Sequence, residues 1–270
     1  MSPTRMSMFE NNVVEADLRA EIERLTGRNA QLERLSQNLE QFVFAASHDL
    51  TEPLRAISIY AQLLVRKCNG SLDSEAAQFV ANIVDGAARM NESLSDLLTY
   101  ARIGAQPDTM PEPVELNGIL ESVKENLKGR IDETKAVIRS DDLPVVTATS
   151  SDFISLFQNL LANAIKYRAT DAPQIYVSAQ RIDGELRLAV KDNGIGIDPA
   201  FHEQIFEAFR RVSSRKVPGT GLGLAICRRI ADRYSGRIWV ESQPGQGATF
   251  VIAFPEAELL GGPVLQPAHR

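Results

Sequence analysis

Residues 159–167 read NLLANAIKY, and the asparagine and lysine side chains of this stretch recur at helical spacing. Asn159, Asn163 and Lys166 are four and three residues apart, so on a helix they share one face. The amide oxygen of Asn163 suits a hard cation such as Mg²⁺, and the charge of Lys166 suits a phosphate group. An ordinary helix with a polar face has the same spacing, so the neighbouring segments must separate the two interpretations.

Two glycine-containing segments follow downstream. DNGIGI, residues 192–197, comes after a predicted strand, where Asp192 could accept a hydrogen bond from an exocyclic amine such as that of adenine. Its glycines would let the backbone approach a ligand closely, although for this segment alone a simple turn is the favoured explanation. GTGLGLAI, residues 219–226, predicts a turn that opens a helix, and backbone N–H groups at such a terminus bind phosphate. It matches neither the Walker pattern nor a dinucleotide fingerprint.

The segment between these two glycine runs is basic. It reads FEAFRRVSSRKVPGTG over residues 206–221, and we expect Phe206 and Phe209 to anchor a short helix there. Four cations without periodicity follow, namely Arg210, Arg211, Arg215 and Lys216. This composition predicts a mobile basic lid beside phosphates.

The elements predicted around these segments are helices mixed with hairpins. We expect helices over residues 116–133, 151–168 (with Ser150 or Ser151 as the cap) and 219–234. Strands are expected in AVIRS, PVVTA, QIYVSAQRI, ELRLAVKDN, RIWVES and ATFVIAF. Asp183-Gly184 predicts a hairpin turn, and QPGQG joins the last two strands. This pattern indicates an α+β layer fold with a mixed sheet.

Upstream, residues 13–46 carry a heptad pattern. The d positions are Leu18, Leu25, Leu32, Leu39 and Ala46, and the a positions are Ile22, Asn29, Ser36, Val43 and Leu50. A single amphipathic helix would fit, but successive leucines at d favour a coiled-coil dimer, and Asn29 at a favours a parallel one. A second helix over about 74–103 predicts a helical hairpin, and two hairpins make a four-helix bundle.

One histidine interrupts the first helix. AASHDL spans residues 45–50, and the heptad frame puts His48 at the outermost f position with Asp49 at g. A surface histidine is the plain interpretation, and a reactive imidazole is the other. Pro53 should kink the helix one turn later.

Composition sets limits on function. The 270 residues carry a net charge of −6, which disfavours nucleic-acid binding. Two distant cysteines predict a reducing cytoplasm, and no apolar run is long enough for a membrane span. We expect a coiled-coil segment (1–40), a helical hairpin (41–104), a linker (105–115), a nucleotide-binding domain (116–256) and a tail (257–270).

Taken together, the segments resemble sensor histidine kinases. SHDLTEP is similar to their phosphoacceptor box, and NLLANAIKY, DNGIGI, FEAF and GTGLGL are similar to their N, G1, F and G2 boxes. SHDLTEPLR and PGTGLGLAICRRI resemble above all the kinase portion of bacterial phytochrome-like histidine kinases. The resemblance covers about residues 40–256. It implies that the dimeric helical hairpin (41–104) is a dimerisation and histidine phosphotransfer domain, and that an ATP-binding α/β sandwich follows it.

The resemblance also implies roles for particular residues. Asn163 would bind Mg²⁺, Asn159 and Lys166 would support the phosphates of ATP, and Asp192 would recognise adenine. The other implied ATP contacts are Tyr167, Gly194, Gly196, Ile197, Phe209, Arg210, Lys216, Gly219, Thr220, Gly221, Leu222, Gly223 and Leu224. His48 would be the phosphoacceptor, with Asp49 orienting it. A receiver domain of a separate response regulator would take the phosphoryl group in trans, and the input signal would come from a separate sensor or partner.

Two departures bear on the reaction. Related gyrase- and chaperone-type ATPases place a water-activating glutamate where this chain has Asn159, and an amide cannot act as that base, which favours phosphotransfer over hydrolysis. Many histidine kinases carry Thr or Asn where this chain has Glu52, so we expect weak phosphatase activity. The rival classes are a non-catalytic dimeric scaffold and a serine/threonine kinase of the same superfamily.

Overall fold

The computed structural model describes residues 3–68, 73–104, 111–211 and 219–259, and within α1 some side chains, including that of His48, lie outside this description. Two long helices come first, α1 (Pro3–Cys68) and α2 (Ser74–Gly104). They pack against each other as a hairpin, and Asp73 caps α2 by accepting the backbone N–H of Ala76 at 2.7 Å. The helix α1 runs through Pro53 without a break.

The rest of the described chain forms a helix-on-sheet domain. Its elements are β1 (Glu112–Glu115), α3 (Leu116–Asn126), α4 (Lys128–Thr134), β2 (Val137–Ser140), β3 (Val145–Ala148), α5 (Ser150–Lys166), β4 (Gln174–Ile182), β5 (Glu185–Asp192), α6 (Gly223–Arg233), β6 (Arg237–Ser242), β7 (Ala248–Pro255) and α7 (Glu256–Leu259). Two short 3-10 turns, Pro199–Phe201 and Gln204–Phe206, precede the basic segment.

The main sheet is mixed, as predicted. Its five strands lie in the order β2-β4-β5-β7-β6, where β2 pairs with β4 in parallel and the other pairs are antiparallel. The strands β1 and β3 form a separate antiparallel pair. The predicted α+β class with a helical hairpin and a mixed sheet is therefore confirmed.

The core lies between one face of the sheet and the helices α3, α5 and α6. Alternate strand residues such as Val177, Leu188 and Ile252 point into it, which is the period-two pattern of a half-covered sheet. From the helix side, Phe153 packs its ring against Phe254 with centroids 5.8 Å apart. The helices α5 and α6 pack side by side on this face of the sheet.

Several predicted element bounds were wrong. The helix expected over 116–133 is two helices, because the buried Leu127 leaves the helical conformation (ψ 2°) as the chain turns. The cap of α5 is Thr149, whose side chain makes no capping bond and whose N–H binds the Tyr234 hydroxyl instead. The helix expected from residue 219 begins at Gly223, because Gly221 has a φ of +77° that a helix does not accommodate.

The ends of the predicted segments also differ in detail. Residues 112–115, inside the expected linker, form β1, and Leu259, inside the expected tail, is fully buried. The short helix expected around Phe206 ends at that residue: Phe206 is buried, whereas Phe209 is 66% exposed and anchors nothing. The prediction for Arg215, Lys216 and residues 261–270 concerns positions outside the described residues.

Candidate functional site

A cavity of about 1000 Å³ lies where α2 faces α5, the loop after β5 and the start of α6. Most of the residues that the sequence assigned to a nucleotide site line it: Asn159, Asn163, Lys166, Tyr167, Asp192, Gly196, Ile197, Arg210, Gly219, Thr220, Gly221, Gly223 and Leu224. Segments far apart in sequence thus converge on one space large enough for a mononucleotide.

Some predicted residues do not line this cavity. Leu222 is buried in the core with 1% exposure, and Phe209 points away from it into solvent. Gly194 shapes the loop behind Asp192 without facing the cavity, and Lys216 lies outside the described residues. The predicted phosphoacceptor His48 and its neighbours Asp49 and Glu52 belong to α1 of the hairpin, and Asp49 and Glu52 do not line the cavity.

The helix α5 presents its polar face to the cavity. Asn159 donates its side-chain N–H to the Ser155 carbonyl at 2.9 Å, which turns its amide oxygen toward the start of α6. There a Cβ on Gly223 would lie 2.6 Å from that oxygen, so a larger residue would displace the Asn159 side chain. The Asn159 amide therefore lies directly against the first turn of α6.

Asn163 and Lys166 follow on the same face. Within the part of the chain that the structure describes, no group hydrogen-bonds the Asn163 amide, whose neutral oxygen therefore remains open to the cavity. The Lys166 ammonium lies 4.9 Å from the centre of the Tyr167 ring and directly against Gly219. A positive charge is therefore held at the entrance to the glycine-rich turn, where a phosphate would meet it.

Asp192, at the end of β5, is a buried carboxylate with a defined orientation. Its Oδ1 accepts the backbone N–H of Gly194 at 2.7 Å and that of Ala248 at 3.2 Å. Burial raises the pKa of this carboxyl, and the two N–H groups partly offset that effect. Because both bonds use Oδ1, the second oxygen remains as an acceptor for a ligand that donates a hydrogen bond.

The loop after Asp192 is held by backbone contacts that require glycine. A Cβ on Gly194 would lie 2.5 Å from the Tyr167 carbonyl, and one on Gly196, with φ +71°, would clash with the Gln243 carbonyl. The Ile197 N–H binds the Ser242 hydroxyl at 2.8 Å. The loop is therefore clamped between the end of α5 and the β6–β7 turn, which makes one wall of the cavity rigid.

The ends of the basic segment meet at Phe209 and Gly221. The Phe209 N–H donates to the Gly221 carbonyl at 3.0 Å, and both residues have positive φ, +62° and +77°. This bond holds Phe209 and Gly221 next to each other, although 12 residues of sequence separate them. Arg210 and Arg211, just beyond Phe209, line the cavity and give this edge a positive charge.

The sequence analysis did not assign the α2 side of the cavity. This wall includes Asp85, Arg89, Glu92 and Asp96, spaced by four, three and four. Asp96 accepts the Thr220 hydroxyl at 2.6 Å. The same helical spacing that identified α5 was present in α2, but only the tertiary structure shows that the two faces oppose each other.

The α1 segment around His48 is regular helix. Ser47 is buried, and the Thr51 hydroxyl donates to its carbonyl at 2.7 Å. Asp49 and Glu52 are exposed. The two carboxylates that follow the His48 position are therefore accessible from solvent, while the preceding serine is not.

Comparison with known families accounts for both parts of the chain. Residues 38–106 match the His Kinase A (phospho-acceptor) domain, and residues 148–258 match the family of histidine kinase-, DNA gyrase B- and HSP90-like ATPases. The chain belongs to the sensor histidine kinases, which confirms the resemblance drawn from the boxes.

Within that class it is similar to part of the cyanobacterial phytochromes. It is 44% identical over 225 residues to cyanobacterial phytochrome A of Nostoc sp., an alignment that covers 83% of this chain and 29% of that protein. The chain therefore spans less than a third of this relative's length. No helix within the described ranges is both long and apolar enough to cross a membrane.

Two solved structures share the fold. Full-length ShkA in complex with AMPPNP has a TM-score of 0.63 and 30% identity, and the match covers 80% of this chain and 45% of that one. The histidine kinase ThkA in complex with the response regulator protein TrrA has a TM-score of 0.56 and 19% identity, covering 84% and 65%. At the latter identity, the comparison concerns fold alone.

Proposed function

We propose that the chain transfers the γ-phosphoryl group of ATP to His48 and then passes it to an aspartate of a separate response regulator. The observation that carries this proposal is the convergence of Asn163, Lys166, Asp192 and the glycine-rich turn on one cavity, in a chain whose hairpin matches a phospho-acceptor domain. Each motif alone has a plain structural explanation, whereas their common cavity does not.

In this proposal the adenine end of ATP lies against the loop after β5. The free oxygen of Asp192 accepts a hydrogen bond from the adenine amine, and Ile197 and Tyr167 line the same end. The phosphates extend toward Lys166 and the N–H groups at the start of α6, where the helix dipole also favours negative charge. The carboxylate and the ammonium thus define opposite ends of the bound nucleotide.

The residues present also fit a magnesium ion. Asn163 offers one neutral oxygen to the cavity beside Lys166, and Mg²⁺ binds with few protein ligands because it keeps waters and phosphate oxygens. Bound there, Mg²⁺ supplies neutralisation of charge on the phosphates. Arg210 and Lys166 contribute positive charge from the protein itself.

Phosphoryl transfer requires a neutral imidazole at His48. The lone pair of Nε2 forms the new bond to the γ-phosphorus while the bond to the bridging oxygen breaks, and ADP leaves with that oxygen. Asp49 would hold the proton on Nδ1, which fixes the tautomer and stabilises the charged phosphohistidine. The phosphoryl group would then move to a receiver aspartate in trans, which regenerates the neutral ring.

The exposed apolar residues of the hairpin support a homodimer. Ile22 and Leu25, at predicted a and d positions, are 56% and 46% exposed in the single chain. A second copy would cover them in a coiled coil that continues into a four-helix bundle. We further propose that the reaction takes place in the cytoplasm, where ATP is found, and that an upstream sensor acts through α1.

Incubation with γ-labelled ATP and Mg²⁺ tests the proposal against its rivals. We expect acid-labile, alkali-stable label on the wild-type protein and none on His48→Gln. A non-catalytic scaffold would take up no label. A serine/threonine kinase would give acid-stable label on its partner that survives the substitution.

A further inference from the structure

The helix α2 reaches into the cavity with a carboxylate. Asp96 accepts the Thr220 hydroxyl at 2.6 Å, and Thr220 lies between Gly219 and Gly221 in the glycine-rich turn. The same hydroxyl accepts the Leu222 N–H at 3.1 Å. Asp96 is therefore bonded to the turn whose polar groups would otherwise bind phosphate.

The charges around Asp96 also place this carboxylate where a phosphate group would bind. Burial raises the pKa of its carboxyl, Glu92 raises it further, and the Thr220 hydroxyl and the Lys166 ammonium lower it. Lys166 thus interacts with a carboxylate of this chain at the position proposed for a phosphate. Two anions at one small site repel each other, so Asp96 and a triphosphate cannot both occupy it favourably.

A second contact holds α2 without entering the cavity. Arg229 of α6 donates to the Tyr100 carbonyl at 2.6 Å, and its guanidinium stacks on the Tyr100 ring at 4.3 Å from the centroid. Ile103, one turn further, is buried in the core of the nucleotide-binding domain. Of these contacts, only the one made by Asp96 lies at the phosphate end.

We propose that Asp96 is a built-in competitor of the nucleotide phosphates, so that the docking of α2 on the glycine-rich turn and the binding of ATP oppose each other. This inference rests on the proposed ATP site. Binding of a triphosphate breaks the Asp96–Thr220 hydrogen bond and weakens the packing of α2 against the glycine-rich turn. By reciprocity, a movement of the hairpin that withdraws Asp96 strengthens ATP binding by the same factor.

The test compares two nucleotide probes in two variants of the full chain. Asp96→Asn keeps the shape but removes the charge, and we expect it to bind AMPPNP about 5-fold more tightly or better. It should bind adenosine, which has no phosphates, as the wild type does. The matched control is Asp85→Asn, which removes a carboxylate from the same helix and cavity wall whose ion-pair partner, Arg89, lies on α2 itself, so its AMPPNP affinity should change less.

Three outcomes have distinct meanings. Unchanged or weaker AMPPNP binding in Asp96→Asn overturns the inference, and an equal gain for adenosine does so as well, because that gain would reflect general opening of the cavity. Absence of AMPPNP and adenosine binding in every variant, the wild type included, would instead sink the proposed function.

A second measurement leaves Asp96 in place and so does not depend on the variant folding. Fluorophores on the exposed positions Ser93 of α2 and Arg228 of α6 report the distance between the two helices. We expect AMPPNP to lengthen this distance and adenosine to leave it unchanged. A distance that AMPPNP does not alter contradicts the competition.

Discussion

The backbone N–H of Ala248 binds the carboxylate of Asp192 at 3.2 Å across 56 residues of sequence. This bond joins the start of β7 to the end of β5 and orients the carboxylate with one oxygen inside the fold. The other oxygen is left for a ligand. The adenine end of the proposed site therefore depends on a side chain that is also part of the sheet architecture.

Asp192→Asn should weaken AMPPNP binding at least about 10-fold while the protein stays folded. Asparagine has one acceptor oxygen, so it cannot both accept the backbone N–H groups and accept from adenine. Calorimetric titration measures the affinity. Asp198→Asn is the control, because Asp198 also lines the cavity and its side chain accepts the Ala200 N–H. The side-chain oxygen of asparagine can accept the same hydrogen bond. Equal affinities of Asp192→Asn and the wild type would contradict the assignment.

Gly196→Ala should destabilise the loop and abolish nucleotide binding, whereas Gly184→Ala should cost only about 1 kcal/mol and leave binding intact. Both glycines have positive φ, so both variants carry backbone strain. Only at Gly196 does the added Cβ meet a carbonyl, that of Gln243; at Gly184 it meets nothing within 4 Å. Thermal unfolding and AMPPNP titration of both variants separate the effect of backbone strain from that of the steric clash with the Gln243 carbonyl. Intact AMPPNP binding by Gly196→Ala would contradict the predicted clash.

Asp152→Ala should lower the free energy of unfolding by about 3 kcal/mol, because it removes a buried carboxylate that pairs with the largely buried Arg233 guanidinium. Asp152 is 1% exposed, and its Oδ2 accepts from Arg233 and from the Tyr234 hydroxyl, both at 3.0 Å. Asp141→Ala, which removes an exposed bond to Tyr176, should cost less than about 0.5 kcal/mol. Denaturant unfolding, followed by the fluorescence of Trp239 in the nucleotide-binding domain, measures the free energy of unfolding of both variants. Similar losses of stability in the two variants would contradict the claim that burial makes the Asp152 interactions the more important ones.

Glu52→Thr should gain the ability to dephosphorylate the receiver domain that the wild-type protein phosphorylates. Glu52 is exposed on α1 one turn after the phosphoacceptor position, where its charge would repel a phosphorylated aspartate. The measurement is the half-life of the phosphorylated receiver with each protein. Glu52→Ala controls for simple loss of charge. Rapid dephosphorylation of the receiver by the wild-type protein, abolished in Glu52→Ala, would contradict the hypothesis that Glu52 weakens phosphatase activity.

Local patterns in the sequence predicted those parts of the fold that depend on backbone dihedral preferences and helical periodicity. The Asp183-Gly184 turn forms as expected because both residues adopt positive φ, which the hairpin demands. The spacing of Asn159, Asn163 and Lys166 placed three side chains on one cavity wall because helical periodicity alone determines that face.

Contacts between distant segments were beyond this kind of prediction. The bond between Asp96 and Thr220 spans 124 residues, and no local pattern in α2 indicates which helix its polar face will meet. Phe209 was misassigned for a related reason: an aromatic residue suggests burial, but the chain turns with positive φ there to start the basic segment. Both cases depend on the tertiary arrangement of α2, α6 and the glycine-rich turn.

The position of the phosphoryl group tests the central claim most directly. The protein is incubated with Mg²⁺ and ATP, kept alkaline, and examined by fragment mass mapping and phosphorus NMR. We predict one phosphoryl group on the fragment containing His48, bonded to Nε2. The buried Ser47 and the neighbouring Thr51, whose hydroxyl is bonded to the Ser47 carbonyl, should remain unmodified. A phosphoryl group on either hydroxyl, or on any residue other than His48, would contradict the account.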